Sequence, residues 1–289
     1  MAASSLSLVD THAHLDDESF DGDRSAVLAR AAEVGVTRVV NIGYRPVRWE
    51  TSAALAAGHP GVSVALGLHP QHADEFDADL IPRLEARITV VGAVAVGEIG
   101  LDYFRDGPSP QVQRRAMEAQ LDLAIRLRLP VVIHQRAAEE DCAAILGDAP
   151  VGLLAVLHSF DGTDLLAGLA EERGWILGVG GLMTRASNEP LRAIIARYPL
   201  ERLVLETDSP YLVPSGTRDR RNVPANVPRI AARLAGLRGL PVDAVARVTT
   251  ATAEQTFNLP SERTASLDGG SEHACTTVLP PPDPARRDD

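Results

Sequence analysis

The chain has 289 residues, 45% of them hydrophobic and 23% charged, which suits one large α/β domain or two smaller ones and excludes a chain disordered throughout. Its formal net charge of −11 sets the surface as a whole against polyanions, so a basic face gripping long duplexes is not expected and any anionic substrate must be attracted locally. Every basic residue is arginine, which removes chemistry that needs a Schiff-base or carbamylated lysine.

The opening MAASSLSLVD lacks a basic flank and a sustained apolar region. No stretch approaches the roughly 20 apolar residues that span a bilayer, so a soluble, cytoplasmic protein without membrane association is expected. Cys142 and Cys275 could form at most one bridge, which is not a disulfide framework.

In chain order, short β-branched or apolar runs end near His14, Ile42, Leu68, Glu98, His134, His158, Val179 and Glu206. Runs such as VVIH and LVLE are apolar at successive positions, as buried parallel strands should be. Between them lie amphipathic stretches with helix signals: Ser109-Pro110 opens a long helix reaching Arg128, Asn188-Glu189-Pro190 opens another, and Gly35, Gly58 and Gly174 close others. Eight such βα units predict a TIM (β/α)8 barrel; a doubly wound sheet alternates similarly, but the count and the placing of polar residues favour the barrel. Two helices are expected after the eighth strand, from about Ala225 to Leu237 and from Pro241 to about Phe257. The domain is expected to span 1–259, followed by a disordered tail at 260–289, rich in Ser, Gly, Asp and Pro.

The polar residues sit where strands end. In VDTHAHLDD, His12 and His14 are two apart on a strand, so both imidazoles point to one side and can reach one ion. Taken alone, that pair is equally an ordinary pair of hydrogen-bonded strand histidines. AVAVGEIGLDY adds Glu98 after an apolar strand, where a buried carboxylate needs a cation or several donors. PVVIH ends in His134, AVLHSFDG in His158, and RLVLETDSPY carries Glu206 and Asp208. Strand tips one, four, five, six and eight would all face the C-terminal mouth, where TIM-barrel enzymes place their catalytic groups. Four histidines with two or more carboxylates and no thiolate suit Zn²⁺, Mn²⁺ or Mg²⁺. A set this large has room for two ions with Glu98 bridging them, and one ion would also support hydrolysis.

The blocks VDTHAHLDD, GLHP, GEIGLDY, PVVIHQR, HSFDG and ETDSPYLVP with RRNVPANV, spread from about Val9 to Phe257, resemble the TatD family of metal-dependent hydrolases in order and spacing. That resemblance implies a barrel of the amidohydrolase superfamily and a deoxyribonuclease or phosphodiesterase activity, a 3'-5' exonuclease on DNA, using metal-activated water. Carried over residue by residue, it makes His12, His14, Glu98, His134, His158 and Asp208 the metal ligands, with Glu98 and Asp208 catalytic and Asp208 taking the proton from the attacking water. His69 in GLHP matches a family histidine near the substrate, and a turn contact before Pro70 is its bland alternative. Arg136, Arg221 and Asn222 are expected to meet a substrate phosphate, and Tyr103 to stack on a base. His59, His72 and His273 are assigned to the surface or tail. The expected partner is DNA or another phosphodiester, and a monomer is favoured.

The surroundings of the ligands depart from the family pattern. Its GxHPH block reads Gly67-Leu68-His69-Pro70-Gln71 here, HCFSG reads His158-Ser159-Phe160-Asp161-Gly162, and Thr252-Ala253 stands where an Asn often opens the end motif of the last helix. Asp161 and the run Glu139-Glu140-Asp141 add negative charge near the mouth, which weakens the case for a long nucleic-acid footprint. Two alternatives therefore stand beside the nuclease: a hydrolase of another ester or amide, such as an aminoacyl-tRNA or a small molecule, and a non-catalytic metal-binding scaffold.

Overall fold

A computed structural model describes residues 7–217 and 220–260. The apolar runs form eight strands: β1 (Leu8–Ala13), β2 (Val36–Gly43), β3 (Val62–Leu66), β4 (Ala95–Asp102), β5 (Val131–Arg136), β6 (Ala155–Leu157), β7 (Ile176–Val179) and β8 (Leu203–Leu205). Five of them (β1, β4, β6, β7 and β8) are buried at every position, as strands covered on both faces must be. All pair in parallel with their sequence neighbours, in the order β1 to β8. The ring is drawn together past the ends of β1 and β8, where Asp208 N donates to His12 O at 2.9 Å and His14 N donates to Ser209 O at 2.7 Å. Ala13 and Ser209 form a parallel bridge at the same place. This is the TIM barrel that the count of apolar runs predicts.

Helices α1 (Arg24–Glu33), α2 (Pro46–Gly58), α3 (Leu80–Val91), α4 (Pro110–Leu127), α5 (Glu139–Gly147), α6 (Asp164–Arg173) and α7 (Glu189–Arg197) each join one strand to the next. Pro at the first or second position opens α2, α4 and α7, where its missing N–H has no helical partner to lose. After β8 come α8 (Val227–Arg238) and α9 (Val242–Phe257). α8 starts two residues later than the sequence suggests, because Pro224–Asn226 wind into a separate 3-10 turn.

The barrel interior is filled at its N-terminal end by one residue or more from every strand: Val9, Val40, Ile42, Ala65, Ala95, Val132, Val156, Ile176 and Val204. Ala253, Phe257 and Leu259, at the end of the chain's last helix, join that cluster and close this end. Chemistry is thereby confined to the opposite, C-terminal end, where the strand tips emerge beside the longer loops.

The described residues up to Leu259 form one compact unit. The tail expected from Pro260 lies outside the described residues except for Pro260 itself, as do His273 and Cys275. Cys142 is buried and free. Among the described residues no helix is long and apolar enough to cross a membrane.

Candidate metal centre

His12 sits within β1 and His14 just past its end, with their Nε2 atoms 3.4 Å apart, as the two-residue repeat of a strand dictates. The other strand tips deliver their groups to the same point. Glu98 of β4 is the hub: its Oε2 lies 3.4 Å from His12 Nε2 and 3.9 Å from His14 Nε2. Its Oε1 lies 2.8 Å from His134 Nδ1 and 3.7 Å from His158 Nε2. Asp208 closes the far side, with Oδ1 3.3 Å from His14, 3.7 Å from His12 and 3.8 Å from His158. The structure thus brings all six expected ligands together.

Two glycines make this approach possible. A Cβ at Gly100, where φ is +139°, would collide with His134 O, so glycine lets β4 and β5 run close enough for Glu98 to touch His134. A Cβ at Gly178 would strike the Glu206 carboxylate, so glycine in β7 leaves the room that this side chain occupies.

The donor set fits a divalent cation. Three groups of side chains each have their ligand atoms within 4.8 Å of one another: His12, His14 and Asp208; His69, Glu98 and His134; His12, His158 and Glu206. All are nitrogen or carboxylate oxygen, which matches borderline to hard metals. The buried carboxylates have no arginine beside them and draw protons onto the rings instead. Burial pulls His158 down, but Glu206 and Glu98 outweigh it and push it up to about 10. Burial also opposes the charged form of His14 and His134, yet their contacts with Asp208 and with Asp102 and Glu98 raise both above the ordinary imidazole value. Glu98 is held well below its usual value despite burial, by the imidazoles of His69, His158 and His12 crowded around it. A cluster this hungry for positive charge is what a bound cation would neutralise.

Several supporting residues escaped the sequence reading. Asp102, at the end of β4, lies 3.3 Å from His134 Nε2 and accepts from the backbone N–H groups of Phe104 and Arg105 at 3.0 and 3.1 Å, which fixes ring and loop together. Asp10 accepts from Thr207 N at 2.9 Å and Thr207 Oγ1 at 2.6 Å, tying β1 to the segment that carries Asp208. Burial, working against those hydrogen bonds, raises Asp10 to about 7. Glu206, named beside Asp208 from the sequence, accepts from Ser159 N and stands 3.1 Å from His158 Nδ1. Asp208 itself has φ +59°, a left-handed conformation that Asp tolerates and most residues do not. The signal available for Asp10 and Asp102 was only a polar residue inside an otherwise apolar run.

Above the six expected ligands opens a cavity of about 430 Å³, whose lining includes Tyr44, His69, His72, Arg105, Arg136, Asp161, Arg185 and Tyr211. Arg136 stands in this lining as the sequence suggests, and its guanidinium lies 4.0 Å above the Phe104 ring. Three other expected substrate contacts are engaged elsewhere. Arg221 donates to both carboxylate oxygens of Asp23, at 3.0 and 2.8 Å, and lies 4.3 Å above the Phe20 ring. Asn222 is fully buried and donates to Thr207 O at 2.7 Å, so it shapes the loop after β8. The Tyr103 hydroxyl donates to Asp141 at 2.7 Å, and the ring packs against the core. His72, assigned to the surface, instead lines the cavity and stacks on Tyr44 with ring centroids 5.6 Å apart. The acidic run Glu139–Asp141 is the first turn of α5, where negative charge suits the helix dipole, while Asp161 does reach the cavity.

His69 combines both roles considered for it. Its Nδ1 accepts from Gln71 N at 3.1 Å, the turn contact, while Nε2 lies 3.7 Å from Glu98 Oε1. Burial pushes it down to about 3, so the ring is neutral. With Nδ1 used as acceptor, the proton sits on Nε2, and this ring offers a donor to the site rather than a ligand to a metal. His69→Ala is therefore expected to lower turnover about tenfold or more, as loss of a preorganised donor does. Its metal content, read by elemental analysis after dialysis, is expected to equal that of the unmodified chain.

Residues 9–258 match the family described as TatD related DNase. The metal-dependent hydrolase YjjV of Escherichia coli (strain K12), described as uncharacterized, is 36% identical over 256 residues, which is 87% of this chain and 98% of that protein. The 3'-5' ssDNA/RNA exonuclease TatD of Pantoea ananatis (strain LMG 20103) is 35% identical over 259 residues, 87% of this chain and 100% of that protein. The crystal structure of the YjjV protein matches with a TM-score of 0.82 at 34% identity, covering 88% of this chain and 98% of that one.

Proposed function

The chain belongs to the TatD-related DNase family of metal-dependent hydrolases, and from that premise we propose that it is a 3'-5' exonuclease acting on single-stranded nucleic acid. The observation that carries this reading is the two-sided hub: Glu98 directs one oxygen to His12 and His14 and the other to His134 and His158, at the floor of a cavity sized for one nucleotide. A hub with two faces suits two divalent ions, Mg²⁺, Mn²⁺ or Zn²⁺, bridged by Glu98. When bound, such ions lower the pKa of water and neutralise charge on phosphoryl oxygens.

In this reading the chain's own groups do the rest. Burial raises the Asp208 carboxyl, but its contact with His14 and the charges of His158 and His12 outweigh this and keep it below the ordinary value. It is therefore ionised at neutral pH and free to take the proton of the attacking water. The His69 Nε2–H donates to an oxygen of the phosphate, and Arg136, with Arg105 and Arg185 lining the same cavity, holds the neighbouring phosphate of the strand. A confined cavity admits a strand end more readily than a paired duplex, and the chain's net charge of −11 gives no long basic track on which a duplex could lie.

The test is incubation with 5'-labelled single-stranded DNA, single-stranded RNA and duplex DNA in Mg²⁺, Mn²⁺ or Zn²⁺, following product length with time. Stepwise shortening of the single strands, abolished by chelator and restored by metal, is the expected result. Internal cuts, or hydrolysis confined to small esters, would refute the exonuclease reading.

A further inference from the structure

Nine large hydrophobic side chains are exposed among the described residues, and the two aromatic ones, Phe104 at 65% and Tyr211 at 51%, both stand at the cavity mouth. Tyr211 belongs to the lining; Phe104 lies under Arg136, which does. A phenyl ring this exposed buries little of its surface in its own fold, so its place calls for a partner. One face of that ring is covered by the Arg136 guanidinium at 4.0 Å, which fixes its orientation through a cation–π contact. Its backbone N–H donates to Asp102 Oδ1 at 3.0 Å, and the other oxygen of Asp102 meets His134 Nε2 at 3.3 Å. The ring is thereby tied to the metal centre through one carboxylate.

The charge around it is complementary to a nucleic acid strand. Arg105, Arg136 and Arg185 all line the cavity, and none forms an ion pair with a described residue, whereas Arg24, Arg38, Arg87 and Arg221 are each paired with Asp or Glu. Unpaired guanidinium groups beside an exposed ring are the two components of a single-strand track: cations for the phosphates and a π-face for a base. A cavity of about 430 Å³ holds one nucleotide, so the adjoining nucleotides must leave across the rim.

We propose that Phe104, held by Arg136, is a stacking platform for a nucleobase of the substrate strand next to the nucleotide seated in the cavity. The proposal rests on the nuclease reading and adds a subsite to it. Stacking on one aromatic ring contributes ~1–3 kcal/mol, so Phe104→Ala is expected to raise KM on a dodecanucleotide about fivefold or more, with a penalty that shrinks as the strand shortens to a dinucleotide. Phe104→Trp should keep KM low and provides a direct readout, because Trp49 and Trp175 are both buried. Addition of a non-cleavable phosphorothioate dodecanucleotide to the metal-loaded Phe104→Trp chain should change its fluorescence saturably. An unmoved emission, or a Phe104→Ala penalty that ignores strand length, overturns the platform. A change of sedimentation in Phe104→Ala with no change in KM would also overturn it, assigning the ring to contact between two copies of the chain. Cleavage of the dodecanucleotide by the unmodified chain reports separately on the nuclease reading.

Discussion

Asp208→Asn is expected to reduce kcat on single-stranded DNA by about 10²–10⁴-fold at saturating metal, the usual scale for loss of a positioned general base. Asparagine is the informative replacement. Asp208 has φ +59°, and Asn adopts that left-handed backbone almost as readily as Asp, whereas Ala would add strain at the strand tip. The amide keeps an oxygen to face His14, 3.3 Å away, but it has neither the charge nor the basicity to take a proton. The fold should survive, since the closure of the ring here uses the backbone N–H of residue 208 and the carbonyl of His12. Steady-state kinetics at several metal concentrations, with thermal unfolding as the control for folding, separates the outcomes. A variant that regains more than about a tenth of the parent kcat when metal is raised would mean that Asp208 only binds metal, and the base would have to be sought elsewhere.

The contrast between Asp208 and the substrate contacts marks what a sequence discloses. The barrel was legible because eight apolar runs alternate with helical patterns, and buried parallel strands need that composition at every position. The convergence of the six expected ligands was legible because strand tips of a barrel share one mouth, so residues far apart in the chain can be assigned to one place without knowing any side-chain conformation. Arg221 was not legible, since whether an arginine is free depends on its neighbours, and its neighbour Asp23 lies 198 residues away in the chain. Tyr103 and Phe104 show the limit more sharply. Neighbouring side chains where a strand turns into a loop can face opposite ways. One position of register therefore decides which ring meets Asp141 and the core and which reaches solvent at the mouth. Asp10 and Asp102 stayed silent for a related reason: a single acidic residue in a strand becomes meaningful only when its partners, Thr207 and His134, are seen beside it.

Glu98→Gln is expected to weaken the binding of both proposed ions together, by more than the roughly 10–100-fold that loss of an outer-shell partner costs. The reason lies in the geometry of the hub. Among the described residues no other carboxylate has its two oxygens divided between the His12–His14 pair and the His134–His158 pair, at 3.4 to 3.9 Å on one side and 2.8 to 3.7 Å on the other. Glutamine keeps the size and one acceptor oxygen, but its NH₂ end would present hydrogens to one group of nitrogens, and its charge is gone. Asp208, whose contacts run to His14, His12 and His158, touches the two sides less evenly, so Asp208→Asn should cost one ion more than the other. Titration calorimetry of the metal-free proteins with Mn²⁺, together with elemental analysis after dialysis, distinguishes the two variants. The bridging role requires that Glu98→Gln lose affinity at both steps of the isotherm. If one step kept the parent affinity while the other vanished, Glu98 would belong to a single ion and the second would have to be held by one of the two converging groups that lack it, His12, His14 and Asp208 or His12, His158 and Glu206.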